Sequence, residues 1–376
     1  MEEAKRVLQV LGTTNLGGAE SRIMDLYRHL DRTCIQFDFL VQTEKKGYFD
    51  DEIEALGGHI YHLPAYRVIN HFSYRRACKY FFLLHHDYIA VHGHITSTAS
   101  IYLPIAKKFK IPLTIAHARS AGVDKGPKGT ITKWLRYFLY KKTDVMLSCS
   151  DLAAVAVYGQ KRVDDNQVIV LPNAINTSDF SPNLEKRREI REKYNLTDKF
   201  VVGHVGRFHY AKNHEFLLEV FLEILKQKSN ARLMLLGDGS LREMIEKKAE
   251  SDGIKDKILF LGNQTPVAPF YQAMDVFIFP SRFEGMPGTV VEAQAADLPC
   301  LISDTITREV KATDLVSFYS LDDEPLVWAK AAITKADCKK DSDVLLLRTS
   351  KYDVNSQVKK YEAFYLTGNS SILREG

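Results

Sequence analysis

The sequence is short of the features that mark membrane-spanning and secreted proteins. No stretch approaches the roughly 18 uninterrupted apolar residues that a transmembrane helix needs. The opening segment MEEAKRVLQVLG carries acids where a signal peptide carries bases. The five cysteines are odd in number, widely spaced and without a CxxC pair, which argues against a disulfide framework and a structural zinc site. We therefore expect a cytoplasmic protein in a reducing compartment.

The sequence also has no large excess of positive or negative charge. The formal net charge is only +4, and the surplus lies in residues 1 to 180, which hold 23 Lys and Arg against 18 Asp and Glu. Because this surplus is small and no recognition motif is present, nucleic acid is not an expected partner. The chain also lacks the GxGxxG fingerprint and the GK[ST] phosphate loop. The Asp-Ser-Asp at 341 to 343 lies in a charged polar run and is predicted to be a solvated loop rather than a metal motif.

What the sequence does contain is a regular alternation of short apolar runs and helical patterns. In SRIMDLYRHL, the apolar residues recur at the helical spacing i, i+3, i+4, i+7. The alternation predicts an α/β protein with parallel sheets covered on both faces. The runs predicted as strands are VLQVL (7–11), FDFLV (37–41), IYHL (60–63), YIAVH (88–92), PLTIAH (112–117), DVMLSC (144–149), QVIVL (167–171), FVVGHV (200–205), RLMLL (232–236), ILFL (258–261), DVFIF (275–279), PCLI (299–302) and LVSFY (315–319).

The length of the chain favours two domains, at roughly 150 residues per domain. The stretch LPNAINTSDFSPN, residues 171–183, is rich in Pro and Asn and is the best linker candidate. We therefore predict two Rossmann-like, doubly wound domains over residues 1–180 and 181–350. Residues 351–376 are expected to form a C-terminal helix and tail, for which packing back on the N-terminal domain is one option.

Ligands of open parallel sheets bind beyond the carboxyl ends of the strands, so chemistry is expected in the loops that leave those ends. After VLQVL, the segment NLGGAE places Gly17 and Gly18 before a helix, where backbone amides can approach an anion. The alternative is a turn that needs positive φ. After FVVGHV, the segment GRFHYAKN carries Arg207 and Lys212, which suit a diphosphate or else form a solvated surface pair. Gly237 lies in a third glycine-bearing turn, GDGS.

The segment RFEGMPGTVVEAQAADLP places two acids, Glu284 and Glu292, on either side of a loop. Pro287 and Gly288 are expected to delay the following helix to about Thr289. Glu284 is then a loop residue and Glu292 a residue of the first helical turn. The alternatives are a capping box from Thr289 to Glu292 and a solvated acid at Glu284.

Between the two acids, the backbone amides of Gly285, Met286 and Gly288 could face a ligand at the start of the helix, where negative charge is favoured. An extended pair of acids suits the two ends of a long ligand better than one scissile bond, for which a retaining glycosidase needs carboxyl groups about 5 Å apart. The combination is typical of a site for a nucleotide-linked sugar.

At this point the sequence resembles a known family. EGMPGTVVE followed by AQAADLPCLIS looks like the E-x7-E segment of family-four retaining glycosyltransferases of the GT-B fold, GRFHYAKN looks like their Gly-Arg…Lys-Asn loop, and NLGGAE like their N-terminal glycine loop. The motifs stand in family order over nearly the whole chain. The likeness is to bacterial capsular or exopolysaccharide transferases. It implies two Rossmann-like domains that face each other across a cleft, and retaining, generally metal-independent sugar transfer.

The resemblance also implies roles for individual residues. Arg207 and Lys212 would hold the donor diphosphate, Glu292 the ribose, and Glu284 the transferred sugar. The family implies further donor-binding positions in the first glycine loop and in the loop between the two acids, and our own reading of the turns adds Gly237. The predicted donor-binding residues are therefore Gly17, Gly18, Gly237, Gly285, Met286, Pro287 and Gly288. His117 matches the strand-end histidine that lines the reacting centre. One departure is Asp297, where the family often has Gly before Leu-Pro.

Other functions compete with sugar transfer. His92 and His94 lie at period-two spacing on one strand and could join His117 in the metal site of a hydrolase; satisfied strand-end histidines are the alternative. A nucleotide-sugar epimerase or a sugar phosphorylase would share the architecture. A sugar-nucleotide-binding module without activity is disfavoured, because every matched position keeps its functional residue type. No metal or other cofactor is expected, since the nucleotide sugar is a substrate.

The acceptor is expected to be a saccharide, presented on a lipid near a membrane. Residues 125–142, KGPKGTITKWLRYFLYKK, contain six Lys and Arg and no acid. On a helix, one stripe would contain Ile131, Trp134, Leu135, Phe138 and Leu139. Such a helix can lie on anionic lipid at the inner face of the plasma membrane, or bury the stripe in the domain core.

Overall fold

The computed structural model describes residues 3–120, 122, 127–337, 347 and 350–374. The chain divides into two compact units: Met1–Ala174 together with Val354–Gly376, called here the N-terminal unit, and Ile175–Asp353, called the C-terminal unit. The chain therefore leaves the N-terminal unit and returns to it. The boundaries predicted at residues 180 and 350 lie a few residues from those of the structure. The Asp-Ser-Asp at 341–343, Cys338 and the first two residues of the basic segment 125–142 lie outside the described residues.

The N-terminal unit is built on a seven-stranded sheet in which every described pair of strands is parallel. The strand order is β3-β2-β1-β4-β5-β6-β7. All seven strands predicted for this half of the chain are present, with ends that shift by one or two residues. They are β1 (Lys5–Leu11), β2 (Ile35–Val41), β3 (Ile60–His62), β4 (Ala90–Gly93), β5 (Leu113–Ala118), β6 (Val145–Ser148) and β7 (Val168–Val170).

Helices connect these parallel strands, as crossover connections require. They are α1 (Gly18–His29), α2 (Asp50–Ala55), α3 (His71–Leu84), α4 (Thr96–Lys108), α5 (Pro127–Tyr137), α6 (Asp151–Tyr158) and α7 (Gln160–Asp164), with 3-10 turns at Val68–Asn70 and Leu139–Lys141.

The C-terminal unit repeats this plan with six parallel strands in the order β10-β9-β8-β11-β12-β13. The strands are β8 (Val201–Val205), β9 (Arg232–Leu236), β10 (Ile258–Gly262), β11 (Val276–Phe279), β12 (Cys300–Ser303) and β13 (Val316–Tyr319). The described helices are α8 (Leu184–Lys193), α9 (His214–Gln227), α10 (Arg242–Ser251), α11 (Ala268–Ala273), α12 (Gly288–Ala295) and α13 (Pro325–Ala336). Further 3-10 turns lie at Thr177–Phe180, Tyr210–Lys212, Lys255–Lys257 and Arg308–Val310.

The prediction of two Rossmann-like parallel-sheet domains is thus confirmed. In each sheet the strand order reverses once, between β1 and β4 in the first and between β8 and β11 in the second. Loops on the two sides of such a reversal diverge and leave a crevice at the carboxyl ends of the strands. These two switch points are where each unit offers space for a ligand.

The last helix, α14 (Val354–Thr367), belongs to the N-terminal unit and is followed by a 3-10 turn at Ser370–Arg374. It packs against α1, and its Val358, Phe364 and Tyr365 are part of the same hydrophobic core as Phe37 of β2. The core of the N-terminal unit is therefore completed by residues from the far end of the sequence. Among the described residues, no helix combines the length and the apolar character that crossing a bilayer demands.

Candidate active site

The switch point of the C-terminal unit brings together the loops that follow β8 and β11. Lys212, from the first loop, contacts Glu284, from the second, with Nζ and Oε1 2.6 Å apart. Only 17% of the Lys212 side chain and 18% of the Glu284 side chain are exposed. Lys212 Nζ also lies 4.5 Å from the centre of the Phe279 ring, a cation–π contact. The fold thus brings a cationic and an anionic residue, 72 positions apart in the sequence, into a largely buried ion pair.

Local backbone geometry holds these two loops together. Asn213 has φ 56°, in the left-handed region that Asn tolerates, and it begins α9 directly after Lys212. The backbone N–H of Arg282 donates to the carbonyl of Ala211 at 2.7 Å, and its guanidinium donates to the carbonyl of Tyr210 at 2.7 Å. The β11 loop is therefore pinned onto the β8 loop just beside the ion pair.

Arg207 is placed differently from Lys212. Its side chain is exposed, and it has no hydrogen bond or ion pair with any residue that the structure describes. It lies against the turn after β9, where a Cβ on Gly239 would collide with Arg207 Cγ. Gly237, in the same turn, has φ 131° and packs so closely on the carbonyl of Gly206 that no side chain fits. Gly237 thus lets the loop of Arg207 approach the β9 turn.

The loop before α12 is buried at Gly285, Met286 and Pro287. The helix begins at Gly288, one residue earlier than predicted, with Pro287 as its N-cap. The Val290 N–H donates to the carbonyl of Pro287 at 3.1 Å, whereas the N–H groups of Gly288 and Thr289 precede the first turn and have no acceptor within the helix, and Pro287 offers no side-chain cap. The helix start therefore presents N–H groups next to the Lys212 and Glu284 loops, as an anion site requires.

The early start of α12 changes the place of Glu292. Glu292 is the fifth residue of the helix and not a member of the first turn, so that part of the prediction was wrong. A capping box with Thr289 is also ruled out, because Thr289 lies inside the helix and its buried Oγ1 has no hydrogen-bond partner among the described residues. Glu292 is only 4% exposed, and its Oε2 accepts a hydrogen bond of 2.7 Å from Tyr271 Oη. The carboxylate is therefore held in place from the side of α11.

Gly17 and Gly18 stand at the start of α1, after β1. Gly17 has φ −163°, an extended conformation open to any residue, and neither glycine has positive φ, so the alternative of a positive-φ turn is wrong. A Cβ on Gly17 would collide with the carboxylate of Glu20, whereas a Cβ on Gly18 would meet nothing within 4 Å. Because the Glu20 carboxylate is the far end of a flexible side chain that can move aside, the structure gives no packing requirement for glycine at either position.

His117, the penultimate residue of β5, lies in a fully buried cluster of rings with His92 and His94. The His92 and His117 rings are stacked, with centroids 5.2 Å apart, and His92 Nε2 lies 3.0 Å from His117 Nδ1. Ligand nitrogens of the three histidines lie within 4.8 Å of one another. The three side chains that the sequence singled out therefore do meet.

The hydrogen bonds of this cluster do not suit a metal ion. His92 bonds through both ring nitrogens and so does His94, with partners that include Tyr365 and the guanidinium of Arg119. Burial, followed by the charge of Arg119, holds the pKa of His92 and of His117 well below the usual range. A metal would have to displace these bonds and lie near a fixed positive charge. The donor set thus fits neutral, mutually hydrogen-bonded rings better than a metal centre.

Comparison with known proteins decides the family. Residues 17–174 match the family described as glycosyl transferase 4-like domain, and residues 199–333 match glycosyl transferases group 1. EpsF of Bacillus subtilis, which is named as a glycosyltransferase, is 33% identical over 332 residues, covering 87% of this chain and 86% of EpsF. The chain belongs to the group 1 glycosyltransferases. The resemblance seen in its motifs is confirmed.

Two further relatives of this glycosyltransferase are informative. CapH of Staphylococcus aureus, named as a capsular polysaccharide biosynthesis glycosyltransferase, is 25% identical over 377 residues, or 96% of this chain and 99% of CapH. The crystal structure of Anabaena Alr3699/HepE in complex with UDP-glucose superimposes with a TM-score of 0.77 over 97% of this chain and all of that chain, at 15% identity. The likeness to HepE establishes the GT-B fold.

The departure at Asp297 has a simple explanation in this glycosyltransferase. Asp297 follows the end of α12 with φ 59°, the left-handed conformation in which glycine is most at ease. Asp is among the few other residues that reach this region at small cost. The substitution therefore preserves the turn into Leu298 and leaves the site residues untouched.

Several residues that surround the candidate site residues were missed by sequence reasoning. Phe279 was recognised only as the end of a strand, and Tyr271 lies in an undistinguished helix 21 residues before Glu292. Gln9, Tyr365 and Arg119, which surround the histidines, carry no motif. The only available signal was the PLTIAHARS segment itself, in which Arg119 stands two residues after His117.

Proposed function

We propose that this glycosyltransferase moves a sugar from a nucleoside diphosphate donor to a saccharide acceptor with retention of anomeric configuration, in the synthesis of a capsular or extracellular polysaccharide. The observation that carries the proposal is the enclosed contact between Lys212 and Glu284 beside the start of α12. Departure of a diphosphate leaves negative charge, which a positioned cation and helix N–H groups stabilise. The similarity to CapH, which is named for capsular polysaccharide biosynthesis, supports a polysaccharide as the product.

Each group at this switch point has a role in the proposal. Lys212 and Arg207 hold the diphosphate, with Lys212 exchanging its contact with Glu284 for a phosphate oxygen. Glu284 is thereby released to accept hydrogen bonds from the sugar hydroxyls. Glu292, held by Tyr271, accepts hydrogen bonds from the ribose. The roles of Gly17, Gly18 and His117 in the N-terminal unit stay predictions of the family resemblance.

The donor is identified by a thermal-stabilisation screen of nucleotide sugars. A donor present at 100 times its dissociation constant stabilises the protein by about 2.7 kcal/mol. Incubation of that donor with saccharide acceptors, followed by NMR of the anomeric proton in the product, then tests retention. An inverted product excludes the retaining mechanism. An epimerised sugar formed without any acceptor, or phosphate-dependent release of a sugar phosphate, identifies one of the rival activities.

We also propose that the acceptor is lipid-linked and that the N-terminal unit meets it at an anionic membrane surface on the cytoplasmic side. The predicted stripe runs over α5 and into the 3-10 turn that follows it, and it is divided: Leu135 and Leu139 are buried, whereas Trp134 is 71% exposed and Phe138 is 47% exposed. The stripe is therefore neither wholly in the core nor wholly outside. Exposed aromatic rings among lysines are suited to the headgroup region of a bilayer.

A second helix adds to this surface. Helix α3 exposes Phe72 (86%) and Tyr80 (64%) beside basic residues, and the chain carries no acid from residue 65 to residue 86. Helix α4 packs against both α3 and α5. Burial, followed by the charge of Arg75 on α3, lowers the pKa of Lys142 just after α5. The two aromatic and basic segments thus belong to one part of the unit.

Vesicle binding tests this surface. Vesicles of phosphatidylglycerol should sediment the protein at low salt and release it as salt screens the charges. The double variant Phe72→Ala, Trp134→Ala should bind at least tenfold more weakly. Leu184→Ala is the control, because Leu184 is 83% exposed but belongs to the C-terminal unit. Absence of binding at low salt, or equal loss in the control, would remove the membrane proposal.

A further inference from the structure

The histidine cluster continues into a single chain of hydrogen bonds inside the N-terminal unit. Arg119 Nε is 3.2 Å from His94 Nδ1, and His94 Nε2 is 2.8 Å from Gln9 Oε1. Gln9 Nε2 is 3.4 Å from Tyr365 Oη, which is 2.7 Å from His92 Nδ1. His92 Nε2 then meets His117 Nδ1 at 3.0 Å. The chain begins at a guanidinium and ends at His117.

The guanidinium fixes the direction of the first links. An arginine side chain can donate hydrogen bonds but cannot accept them, so His94 Nδ1 is the acceptor at this contact. A neutral imidazole carries one hydrogen, which in His94 must then lie on Nε2. His94 Nε2–H donates to Gln9 Oε1, and this orients the Gln9 amide so that its NH₂ group faces Tyr365.

The same direction passes along the remaining links. Tyr365 Oη accepts from Gln9 Nε2. If it also accepted from His92, its own buried hydrogen would be left without the acceptor at His92 Nδ1, so we infer that Tyr365 donates to His92 Nδ1. His92 then carries its hydrogen on Nε2 and donates it to His117 Nδ1. We propose that Arg119, acting through this chain, places the proton of His117 on Nε2, so that His117 presents a hydrogen-bond donor and not a base.

The opposite direction is disfavoured by one contact. If every link were reversed, His94 would carry its hydrogen on Nδ1, where it would face the N–H of Arg119. A bond between a charged donor and an acceptor would be replaced by two donors in contact, at a partly buried position. We expect the Nε2–H form of His117 to exceed the other by about tenfold or more.

The direction of the chain also identifies what is missing from the cluster. Two buried atoms here have no hydrogen-bond partner among the described residues, His117 Nε2 and Arg119 Nη2. With the direction set by Arg119, both are donors. Both atoms therefore suit an acceptor oxygen and not a metal ion, which needs a nitrogen without hydrogen. The position of the proton does not depend on the proposed function.

The position of each imidazole hydrogen can be observed directly. In protein labelled with ¹⁵N-histidine, two-bond and three-bond correlations between ring nitrogens and carbon-bound hydrogens distinguish Nε2–H from Nδ1–H and from the doubly protonated ring. The expected result at pH 7.5 is Nε2–H for His92, His94 and His117. An Nδ1–H or doubly protonated His117 would overturn the proposal.

Two pairs of variants test the role of Arg119 and of the relay. Arg119→Met removes the donor that sets the direction, whereas Arg119→Lys replaces it with another side chain that only donates. Tyr365→Phe removes one link of the chain. Tyr361→Phe is its control, because Tyr361 lies one turn earlier on α14 beside the same His92 ring and is not a link in the chain. Folding of each variant is checked by its thermal unfolding midpoint.

We expect His117 to show a mixture of the two tautomers in Arg119→Met and Tyr365→Phe, and to keep the Nε2–H form in Arg119→Lys and Tyr361→Phe. An unchanged Nε2–H signal in folded Arg119→Met would mean that Arg119 does not act through the chain. One equivalent of zinc should leave the His117 signals unchanged; stoichiometric zinc with loss of Nε2–H would favour a metal site. None of these measurements requires sugar transfer, so a failure of the proposed function would be recognised separately.

Discussion

The two units carry a histidine at the same place, one residue before the end of a central strand, and use it in opposite ways. His117 of β5 is joined to other side chains by a relay of polar groups. Among the described residues, His204 of β8 makes its hydrogen bond through Nδ1–H, which donates to the carbonyl of Ile278 at 2.9 Å, and its ring packs among aromatic rings such as Phe279. In the N-terminal unit the histidine is part of a hydrogen-bonded network of side chains, whereas in the C-terminal unit it packs as an aromatic core residue.

The contrast extends to charge. In the C-terminal unit the charged side chains stand above His204, where Lys212 and Glu284 are paired. Burial lowers the pKa of His204 to about 4, and the charge of Lys212 acts in the same direction. In the N-terminal unit Arg119 instead donates to His94 and Asn173, so that its charge is met by oriented neutral groups. The comparison teaches that one doubly wound sheet can supply either charge or oriented hydrogen bonds at its switch point, according to the side chains that cover its strand ends.

The largest expected effect comes from removing the charge in the C-terminal unit. Lys212→Ala should lower kcat for sugar transfer by about 10²–10³-fold, because the developing diphosphate charge loses its enclosed cation. The measurement is steady-state kinetics with the donor found in the screen. Lys226→Ala is the control: Lys226 forms a contact of the same length, 2.6 Å, with Glu223, but is 68% exposed. If Lys212→Ala kept the wild-type kcat, the C-terminal unit would not stabilise the developing charge through Lys212.

A smaller loss, in binding, is expected at Glu292. Glu292→Gln should weaken binding of the donor nucleoside diphosphate by about 10–100-fold, the range for hydrogen bonds to a charged group, with kcat little changed. Tyr271→Phe should give a smaller effect, up to about tenfold, since it only releases the carboxylate. Calorimetric titration measures both. If Tyr271→Phe were the more damaging of the two, Glu292 would have only a structural role.

The corresponding change in the N-terminal unit should be smaller again. His117→Ala should reduce kcat by up to about tenfold, because one neutral hydrogen bond is lost. His117→Gln, whose amide places an N–H near the position of Nε2, should recover most of this loss. Equal activity of the Ala and Gln variants, both with native unfolding midpoints, would remove His117 from the catalytic device and weaken the contrast between the units.

The smallest expected difference between the two units is in how much folding stability each loses at acidic pH. Burial holds the pKa of His92, His94 and His117 far below their unfolded value in the first unit, and lowers that of His204 to about 4 and of His214 to about 2 in the second. Below about pH 6.5 the unfolded chain therefore binds more protons than the folded one, so stability is fully present above that pH and falls as pH decreases.

Between pH 7.5 and pH 5.5, each such histidine lowers the free energy of unfolding by about 1.4 kcal/mol. The N-terminal unit, with one more buried histidine, should lose about 1.4 kcal/mol more than the C-terminal unit. Hydrogen exchange of β5 and β8 amides at pH 7.5 and 5.5, corrected for the intrinsic rates, compares the two. Greater loss of protection at β8 would contradict this expectation.

The strands and their switch-point loops could be predicted from the sequence because their signals are local. Short apolar runs bounded by Gly, Pro, Asn or Ser placed all 13 predicted strands, and the alternation with helices implied their parallel order. Lys212 and Glu284 followed as loop residues on the correct strand ends. The sequence predicted that both loops leave the same edge of the sheet. It did not predict that the two side chains contact each other.

The parts that escaped prediction depend on contacts between distant positions. His92 meets Tyr365 across 273 residues of sequence, and no local pattern identifies that partner. Helical periodicity predicted a single apolar face for the stripe that begins on α5. In the structure, however, Leu135 is buried, whereas Trp134 is exposed to solvent. The start of α12 moved by one residue because Gly288 accepts the first helical position, and this shift altered the place of Glu292.

The return of α14 to the N-terminal unit has a consequence for biosynthesis. A nascent chain emerges from the ribosome at about 5–20 residues per second, so the segment Ile175–Asp353 separates the first 174 residues from their closing helix by roughly 10 to 40 seconds. During that interval His92 lacks Tyr365 and the groove beside α1 is uncovered. The unit that is translated first is thus the one completed last.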